Sequence, residues 1–199
     1  MKAEEIRQAL DVPWHHGAHV DLRGVVCEDQ LDLSGLDLPG VDFTGARFAE
    51  GIVVEGARFA GLSWFGSTVF DGDAVFDDAL FLNDARFEDA GFSGSARFAG
   101  VGFRGIGRFD RARFAAGACF EDTVSYGNFS LQDVTGAGAM TFHGAEWLGG
   151  LWCHGARLPA NADFGETQVH GRLWLRDARR GNAALTAEAF GMTFGYDYR

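Results

Sequence analysis

Four residues in the last third of the chain carry side chains that could perform acid–base or nucleophilic chemistry. They are His143, Glu146, Cys153 and His154. Glu146 could act with His143 as an acid–base pair, and Cys153 beside His154 has the residue types of a thiolate–imidazole pair. Neighbours in an extended strand point to opposite sides, so adjacency alone does not pair Cys153 with His154. Because no spacing typical of a catalytic motif accompanies these residues, a non-catalytic end of the fold is the favoured interpretation.

Metal binding and disulfide bonding are not predicted. His15 and His16 are adjacent, and adjacent residues of an extended segment point apart, which argues against shared metal ligation. Cys27, Cys119 and Cys153 show no Cys-x-x-Cys spacing, which favours free thiols in a reducing compartment. We therefore expect neither a metal nor a cofactor.

The net charge of −11 is unevenly distributed along the chain. Residues 1–100 hold 18 Asp and Glu against 7 Lys and Arg, and the second half is neutral. Phosphate binding needs a basic surface, so direct nucleic-acid binding is disfavoured and a protein partner with a basic surface is expected. The candidate acidic binding residues are Asp71, Asp73, Asp77, Asp78, Asp84, Glu88 and Asp89. With no apolar run near 18 residues and no signal-like N-terminus, we expect a cytoplasmic protein without a membrane partner.

A regular spacing of large apolar residues organises the centre of the chain. Reading every eleventh residue gives Phe43, Val54, Phe65, Phe76, Phe87, Phe98, Phe109 and Phe120. A second series, offset by five, gives Phe48, Phe59, Phe70, Phe81, Phe92, Phe103 and Phe114. A small residue lies two positions before nearly all of these. Steps that alternate between five and six match neither helix nor strand periodicity, and a short fixed repeat indicates a solenoid of stacked units.

Three of the runs identify the repeat: Ala85-Arg86-Phe87-Glu88-Asp89, Ala96-Arg97-Phe98-Ala99-Gly100 and Ala112-Arg113-Phe114-Ala115-Ala116. They resemble the pentapeptide-repeat family, whose units read small residue, polar residue, Leu or Phe, then two variable residues. The resemblance covers roughly Val20 to Leu175. It implies an all-β fold, a right-handed quadrilateral β-helix in which four units make one square coil. The extra residue in every second step predicts a 22-residue coil that bulges at two opposite corners.

The predicted organisation has three parts. Residues 1–19 form a capping helix, Ala3 to Leu10, and a joint; residues 20–176 form a β-helix of about seven coils; residues 177–199 form a C-terminal cap or dimerisation segment. A second short helix is predicted from Ala183 to Phe190. The apolar residues of the last stretch either pack over the final coil or meet their twin in a homodimer, an arrangement known in the family. These residues are Phe190, Met192, Phe194, Tyr196 and Tyr198.

Three candidate functions are open, and the resemblance implies the first of them. The best understood members are acidic rods that mimic DNA, bind type II topoisomerases such as DNA gyrase, and protect against or inhibit them. A small-molecule-binding protein or an enzyme of a secondary-metabolite pathway is the alternative, using the Trp- and His-rich C-terminal coils with a pocket near Ser125, Gly136 and Trp147. A structural scaffold is the third.

Overall fold

The computed structural model describes residues 1–198, which form one helix and a stack of very short β-strands. The helix α1 spans Ala3–Leu10 and the strands are two or three residues long. Strands one coil apart pair in parallel, as Phe70 does with Phe48 on one side and Phe92 on the other. The result is a β-solenoid of about eight turns with four flat faces.

The strands of each face follow one another at intervals of about one coil. Face 1 consists of His19–Asp21, Gly40–Asp42, Ser63–Trp64, Ala85–Arg86, Gly107–Arg108, Phe129–Ser130, Leu151–Trp152, Arg172–Trp174 and Tyr196–Tyr198. Face 2 consists of Val26–Cys27, Arg47–Phe48, Val69–Phe70, Gly91–Phe92, Arg113–Phe114, Thr135–Gly136, Arg157–Leu158, Arg179–Arg180 and Ala183–Ala184. Face 3 consists of Leu31–Asp32, Ile52–Val53, Ala74–Val75, Ala96–Arg97, Gly117–Cys119 and Ala139–Thr141. Face 4 consists of Asp37–Leu38, Arg58–Phe59, Leu80–Phe81, Gly102–Phe103, Val124–Ser125, Glu146–Trp147, Gln168–Val169 and Met192–Thr193.

Phenylalanine rings fill the inside of the tube. Phe65, Phe87 and Phe109 are fully buried, and their rings stack at 4.7 Å and 2° from parallel. This separation matches the spacing of paired strands, so the backbone ladder sets the ring stack. The small residue two positions earlier also points inward, as the fully buried Ala85 does. The repeat predicted this inward direction, because two residues that are two positions apart lie on the same side of an extended strand.

The corners are of two kinds, as the alternating steps predict. We name each corner by the two faces that it joins, so the 1/2 corner joins face 1 to face 2. The 1/2 and 3/4 corners are the five-residue steps. In each of them, the second residue after the large inward-pointing residue has a left-handed backbone, for example Asp78 at φ 57° and Asp122 at φ 54°. The 2/3 and 4/1 corners hold the extra residue of the 22-residue coil. Glycine is needed there because successive coils touch: a Cβ on Gly127 would lie 2.5 Å from the carbonyl oxygen of Gly105.

The two ends are closed differently. At the start, Ile6 and Leu10 of α1 are buried against the first coil. At the other end, the predicted helix from Ala183 to Phe190 is wrong. Ala183–Ala184 pairs antiparallel with Arg179–Arg180, and only Ala187–Ala189 form a single 3₁₀ turn. Pairing satisfies backbone groups at the open edge of face 2, which a helix would leave without partners.

The stack also continues beyond residue 176. Met192–Thr193 pairs with Gln168–Val169 on face 4, and Tyr196–Tyr198 pairs with Arg172–Trp174 on face 1. These two strands account for the solenoid having about eight turns rather than about seven. No helix among residues 1–198 is long and apolar enough to cross a membrane.

Candidate binding face

The structure does not assemble the four candidate catalytic residues into one site. His143 comes just after a strand of face 3 and His154 just after a strand of face 1. The two residues therefore lie at the 3/4 and 1/2 corners, which are diagonally opposite. Glu146 contacts His170 at 3.3 Å instead of His143. Cys153 is fully buried in the tube, and desolvation raises the pKa of its thiol. A buried thiol of this kind is a poor nucleophile, because the thiolate is the reactive form.

The region where a pocket was expected is filled. The Ser125 hydroxyl is buried and donates to the carbonyl oxygen of Gly127 at 2.9 Å. The Met140 side chain occupies the space beside Gly136, so that a Cβ there would collide with its sulfur. Trp147 is fully buried, with its ring 6.2 Å from that of Phe129. The bulky Met140 therefore compensates for the missing side chain at Gly136.

The acidic residues predicted as a binding patch are divided among all four corners of the tube. Asp71, Asp73, Asp77 and Asp78 lie on the two corners that flank face 3. Asp84 lies at the 4/1 corner, where Arg86 approaches it at 3.6 Å. Glu88 and Asp89 lie at the 1/2 corner, diagonally across the tube. Residues close in sequence are separated in this way because four units complete a turn.

Face 3 and its two flanking corners gather acidic residues from the whole length of the chain. The carboxylates on this acidic face are Glu28, Asp29, Asp32, Glu50, Glu55, Asp71, Asp73, Asp77, Asp78, Glu121, Asp122, Asp163 and Glu166. They are 13 of the 28 carboxylates, and Arg97 is the one Arg or Lys among the residues of this surface. The other 15 carboxylates belong to the rest of the chain together with the other 16 Lys and Arg. The net negative charge therefore lies on one side of the tube.

Backbone hydrogen bonds between coils align these carboxylates in columns along the 3/4 corner. Gly56 donates to the carbonyl oxygen of Asp77 at 2.8 Å, one coil on from Glu55. Gly100 donates in the same way to Glu121 at 2.8 Å. Asp78 and Asp122 occupy the left-handed position of their corners, which Asp tolerates better than most residues. The five-residue corner thus favours the same residue type that supplies the charge.

Cations partly neutralise the acidic face at four points. At the first coil, the Arg7 guanidinium of α1 donates to the backbone carbonyl oxygen of Asp32. Arg97 pairs with Asp77, whose other carboxylate oxygen accepts from the Ala99 backbone N–H at 3.0 Å. Lys2 reaches Asp29 at 3.1 Å, and Arg47 reaches Asp71 at 2.6 Å. The 3/4 corner from Glu121 to Glu166 has no Arg or Lys partner within the described residues. Its one basic group is His143, which lies 3.3 Å from Asp163.

The diagonally opposite 1/2 corner carries a row of ion pairs. The Arg111 guanidinium donates to both carboxylate oxygens of Asp89 at 2.8 and 2.7 Å, which lowers the pKa of that carboxyl. Glu88 lies between Arg86 at 4.0 Å and Arg108 at 3.8 Å. Left-handed Asp residues occur at this corner too, so they alone do not distinguish the acidic face. The difference is the arginines, which cancel the charge here.

Comparison with known proteins rests on the repeat. A family model described as pentapeptide repeats, in nine copies, matches residues 55–102. The stacked parallel strands on either side of this window continue the same coil. The repeat match and the stacked parallel strands fit the pentapeptide-repeat family. No curated protein matches the chain.

Sequence reasoning missed nine of the 13 members of the acidic face. They are Glu28, Asp29, Asp32, Glu50, Glu55, Glu121, Asp122, Asp163 and Glu166. The signal was present in the coil length, because Glu55, Asp77 and Glu121 follow the 22-residue register. Charge summed along the chain hides such columns, whereas charge summed by corner reveals them. Among residues 1–198, no group of three or more His, Cys, Asp or Glu side chains is arranged to hold a metal ion.

The apolar residues of the last turn divide into one buried and four exposed side chains. Phe190 is buried, with its ring 4.6 Å from that of Phe164, where it closes the tube. Met192, Phe194, Tyr196 and Tyr198 are between 45% and 79% exposed. Their strands are the last of faces 4 and 1, so their outer backbone groups form open edges.

Proposed function

We propose that this pentapeptide-repeat protein is a binding module whose acidic face docks against a basic surface of a protein partner. The observation that supports the proposal is the segregation of charge, with 13 carboxylates and one guanidinium on one side of the tube. A charge placed only for solubility needs no such segregation, whereas complementary surfaces steer association and fix its orientation.

The spacing of the charge favours a partner that normally binds DNA. The strands from Asp32 to Asp163 span six coil steps, which is about 29 Å at the strand spacing. Counting Lys2, Arg7, Arg47 and Arg97 against the 13 carboxylates leaves about nine charges, or one per about 3 Å. One strand of duplex DNA carries one charge per about 3.4 Å. We therefore propose the DNA-binding groove of a cytoplasmic type II topoisomerase, such as DNA gyrase, as the partner.

Charge neutralisation on matched corners tests this proposal. The test variant is Asp78→Asn combined with Asp122→Asn, on the acidic face. The control is Asp133→Asn combined with Asp177→Asn, at the same left-handed position of the 1/2 corner. Both remove two charges without changing side-chain size. Binding to gyrase is measured by interferometry at several salt concentrations, alongside supercoiling assays with and without a quinolone.

We expect the test variant to bind about 3- to 30-fold more weakly, since each rim charge contributes roughly 0.3–1 kcal/mol. The control should stay within about twofold, and binding of both should weaken as salt rises. Equal losses in the two variants would mean that net charge, not the acidic face, governs binding. No effect of the unaltered protein on gyrase or topoisomerase IV would remove the topoisomerase proposal and favour the scaffold.

We also propose that the exposed strands of the last turn form a homodimer contact. Open edges and exposed aromatic side chains together favour association with a second copy. Phe194→Ser combined with Tyr196→Ser should shift sedimentation velocity from dimer to monomer, while Phe190 stays in the core of its own chain. A wild-type protein that sediments as a monomer at all concentrations would end this proposal.

A further inference from the structure

Four arginines on the later coils of face 2 have no carboxylate partner. Arg113, Arg157 and Arg179 hold the outward position of their strands and are exposed, and Arg180 ends the last of these strands. None of the four forms an ion pair among residues 1–198. Arg157, Arg179 and Arg180 donate to backbone carbonyl oxygens, which leaves their charge uncompensated.

The 2/3 corner beside these later coils carries no charged residue. It consists of Ser93, Gly94, Ser95, Ala115, Ala116, Gly117, Ala137, Gly138, Pro159, Ala160 and Asn161. The carboxylates that border these coils, Asp110, Asp133 and Asp177, lie across face 2 on the 1/2 corner, together with Arg111 and Arg176. The later half of face 2 and of the 2/3 corner is therefore a positive surface.

The earlier coils of the same surface are negative. The carboxylates of their 2/3 corner are Glu28, Asp29, Glu50, Asp71 and Asp73. The cations beside them are Lys2, Arg47 and the N-terminal ammonium, which donates to the carbonyl oxygen of Val26. Five carboxylates against three cations leave an excess of two negative charges. Glu28 and Glu50 are exposed and form no ion pair within the described part of the chain.

Between the negative and positive halves the surface is flat. The side chains at Gly91 and residues 93–95 are no larger than that of serine. A Cβ at Gly91 would meet no atom within 4 Å. A glycine in such a strand permits the close approach of another backbone.

These three features match a second copy of the chain turned end for end. Consider a two-fold axis that lies across face 2, half a coil after the Gly91 strand. The coil of Glu50 lies two and a half coils before this axis and that of Arg157 two and a half coils after it, each about 12 Å away. The coils of Glu28 and Arg179 likewise lie three and a half coils from it, about 17 Å on either side. Because the axis makes each contact twice, the pairing closes a dimer rather than an open chain.

We infer that face 2 and the 2/3 corner form an antiparallel dimer contact with a second copy of this chain. The negative early coils of each copy lie against the positive late coils of the other, and such complementarity orients association. Arg47, which the axis also brings opposite Arg157, is held at 2.6 Å by Asp71 of its own chain. Both copies turn face 3 to the same side, so the 3/4 corners with Asp78 and Asp122 stay accessible. The contact does not depend on the topoisomerase proposal.

Sedimentation velocity tests this contact in a background of Phe194→Ser combined with Tyr196→Ser, which removes the last-turn contact. We expect a dimer at about 0.1 M salt, where a Debye length of about 10 Å screens the net charges of the two copies but not the touching ones. At about 1 M salt, where the Debye length is about 3 Å, we expect a monomer. The last-turn contact is apolar and is therefore measured at the higher salt concentration.

Two charge reversals in the same coil separate the contact from net charge. Glu50→Arg should weaken dimerisation by at least about tenfold, since the change acts at both ends of a two-fold contact. Glu55→Arg, at the 3/4 corner, should change it by less than about threefold. Equal losses in the two variants would overturn the inference, as would a background protein that stays monomeric at about 0.1 M salt into the millimolar range.

Mixing two variants tests the antiparallel pairing itself. Arg157→Glu alone should not dimerise, because two carboxylates then face each other. An equimolar mixture of Glu50→Arg and Arg157→Glu should dimerise again, since each contact then joins one arginine to one glutamate. A mixture that stays monomeric, with both variants melting as the background does, would overturn the inference, and so would species larger than a dimer. A monomer that binds heparin through Arg157 would assign the arginines to a polyanion instead. The comparison of Glu50→Arg with Glu55→Arg decides the matter even where Arg157→Glu folds poorly.

Discussion

Replacing Phe87 with alanine probes the packing on which every surface column depends. Phe87 is fully buried at the middle of the tube. Phe65 and Phe109 stack on its two faces at 4.7 Å, and the rings of Phe76 and Phe98 meet it edge to face at 5.4 and 5.5 Å. Removing this ring therefore removes contacts to three successive coils.

The expected loss in the free energy of unfolding is about 4–5 kcal/mol. Replacing a buried Phe with Ala lowers the free energy of unfolding by about 3–5 kcal/mol, and the upper part of this range applies when the surroundings cannot collapse into the cavity. Here the strand spacing prevents collapse, because the coils above and below Phe87 are held by parallel hydrogen bonds. The total free energy of unfolding of a native domain is only about 5–15 kcal/mol, so this loss is a large fraction of the stability.

Guanidinium denaturation followed by circular dichroism measures this loss. The control is Phe194→Ala, the same chemical change at a side chain that is 59% exposed, measured at a concentration that keeps the chain monomeric. The control should change the free energy of unfolding by about 0.5 kcal/mol or less. A loss below about 1.5 kcal/mol for Phe87→Ala, at an unchanged denaturant slope, would refute the stacked-ring core.

Three further predictions test the corners and the thiols. Gly127→Ala places a methyl group 2.5 Å from a carbonyl oxygen of the coil below and should cost about 1–3 kcal/mol by denaturation, whereas Gly91→Ala enters open space and should cost less. Arg111→Met should raise the pKa of Asp89 toward its ordinary range near 4, as NMR titration would show, since the guanidinium lowers it. The stability linked to this pair is present above that ordinary range and is lost as pH falls through the lowered pKa. Cys119, the one cysteine that is not fully buried, should react first with a thiol reagent, as peptide mapping would reveal.

The repeat spacing predicted the inward columns, because a small residue and the Phe two places later lie on the same side of an extended strand. The four faces, and with them the two corners that carry the extra residues, were implied by the resemblance to the pentapeptide-repeat family. The helix Ala3–Leu10 was also readable, since Ile6 and Leu10 lie on one side. The predicted second helix failed because the open edge of face 2 needed a strand, a requirement that local sequence does not express.

Charge and reactivity were decided by the tertiary structure. Winding 22 residues into a coil brings Glu55 and Asp77 together and moves Asp89 to the far side, beside Arg111. It likewise sends Glu146 to His170 and buries Cys153. Sequence by itself therefore determined which side chains enter the tube, because that choice depends on spacing within one unit. Only the tertiary structure decided which side chains pair on the surface, such as Arg111 with Asp89 and Glu146 with His170, because that depends on how far each side chain reaches between neighbouring coils.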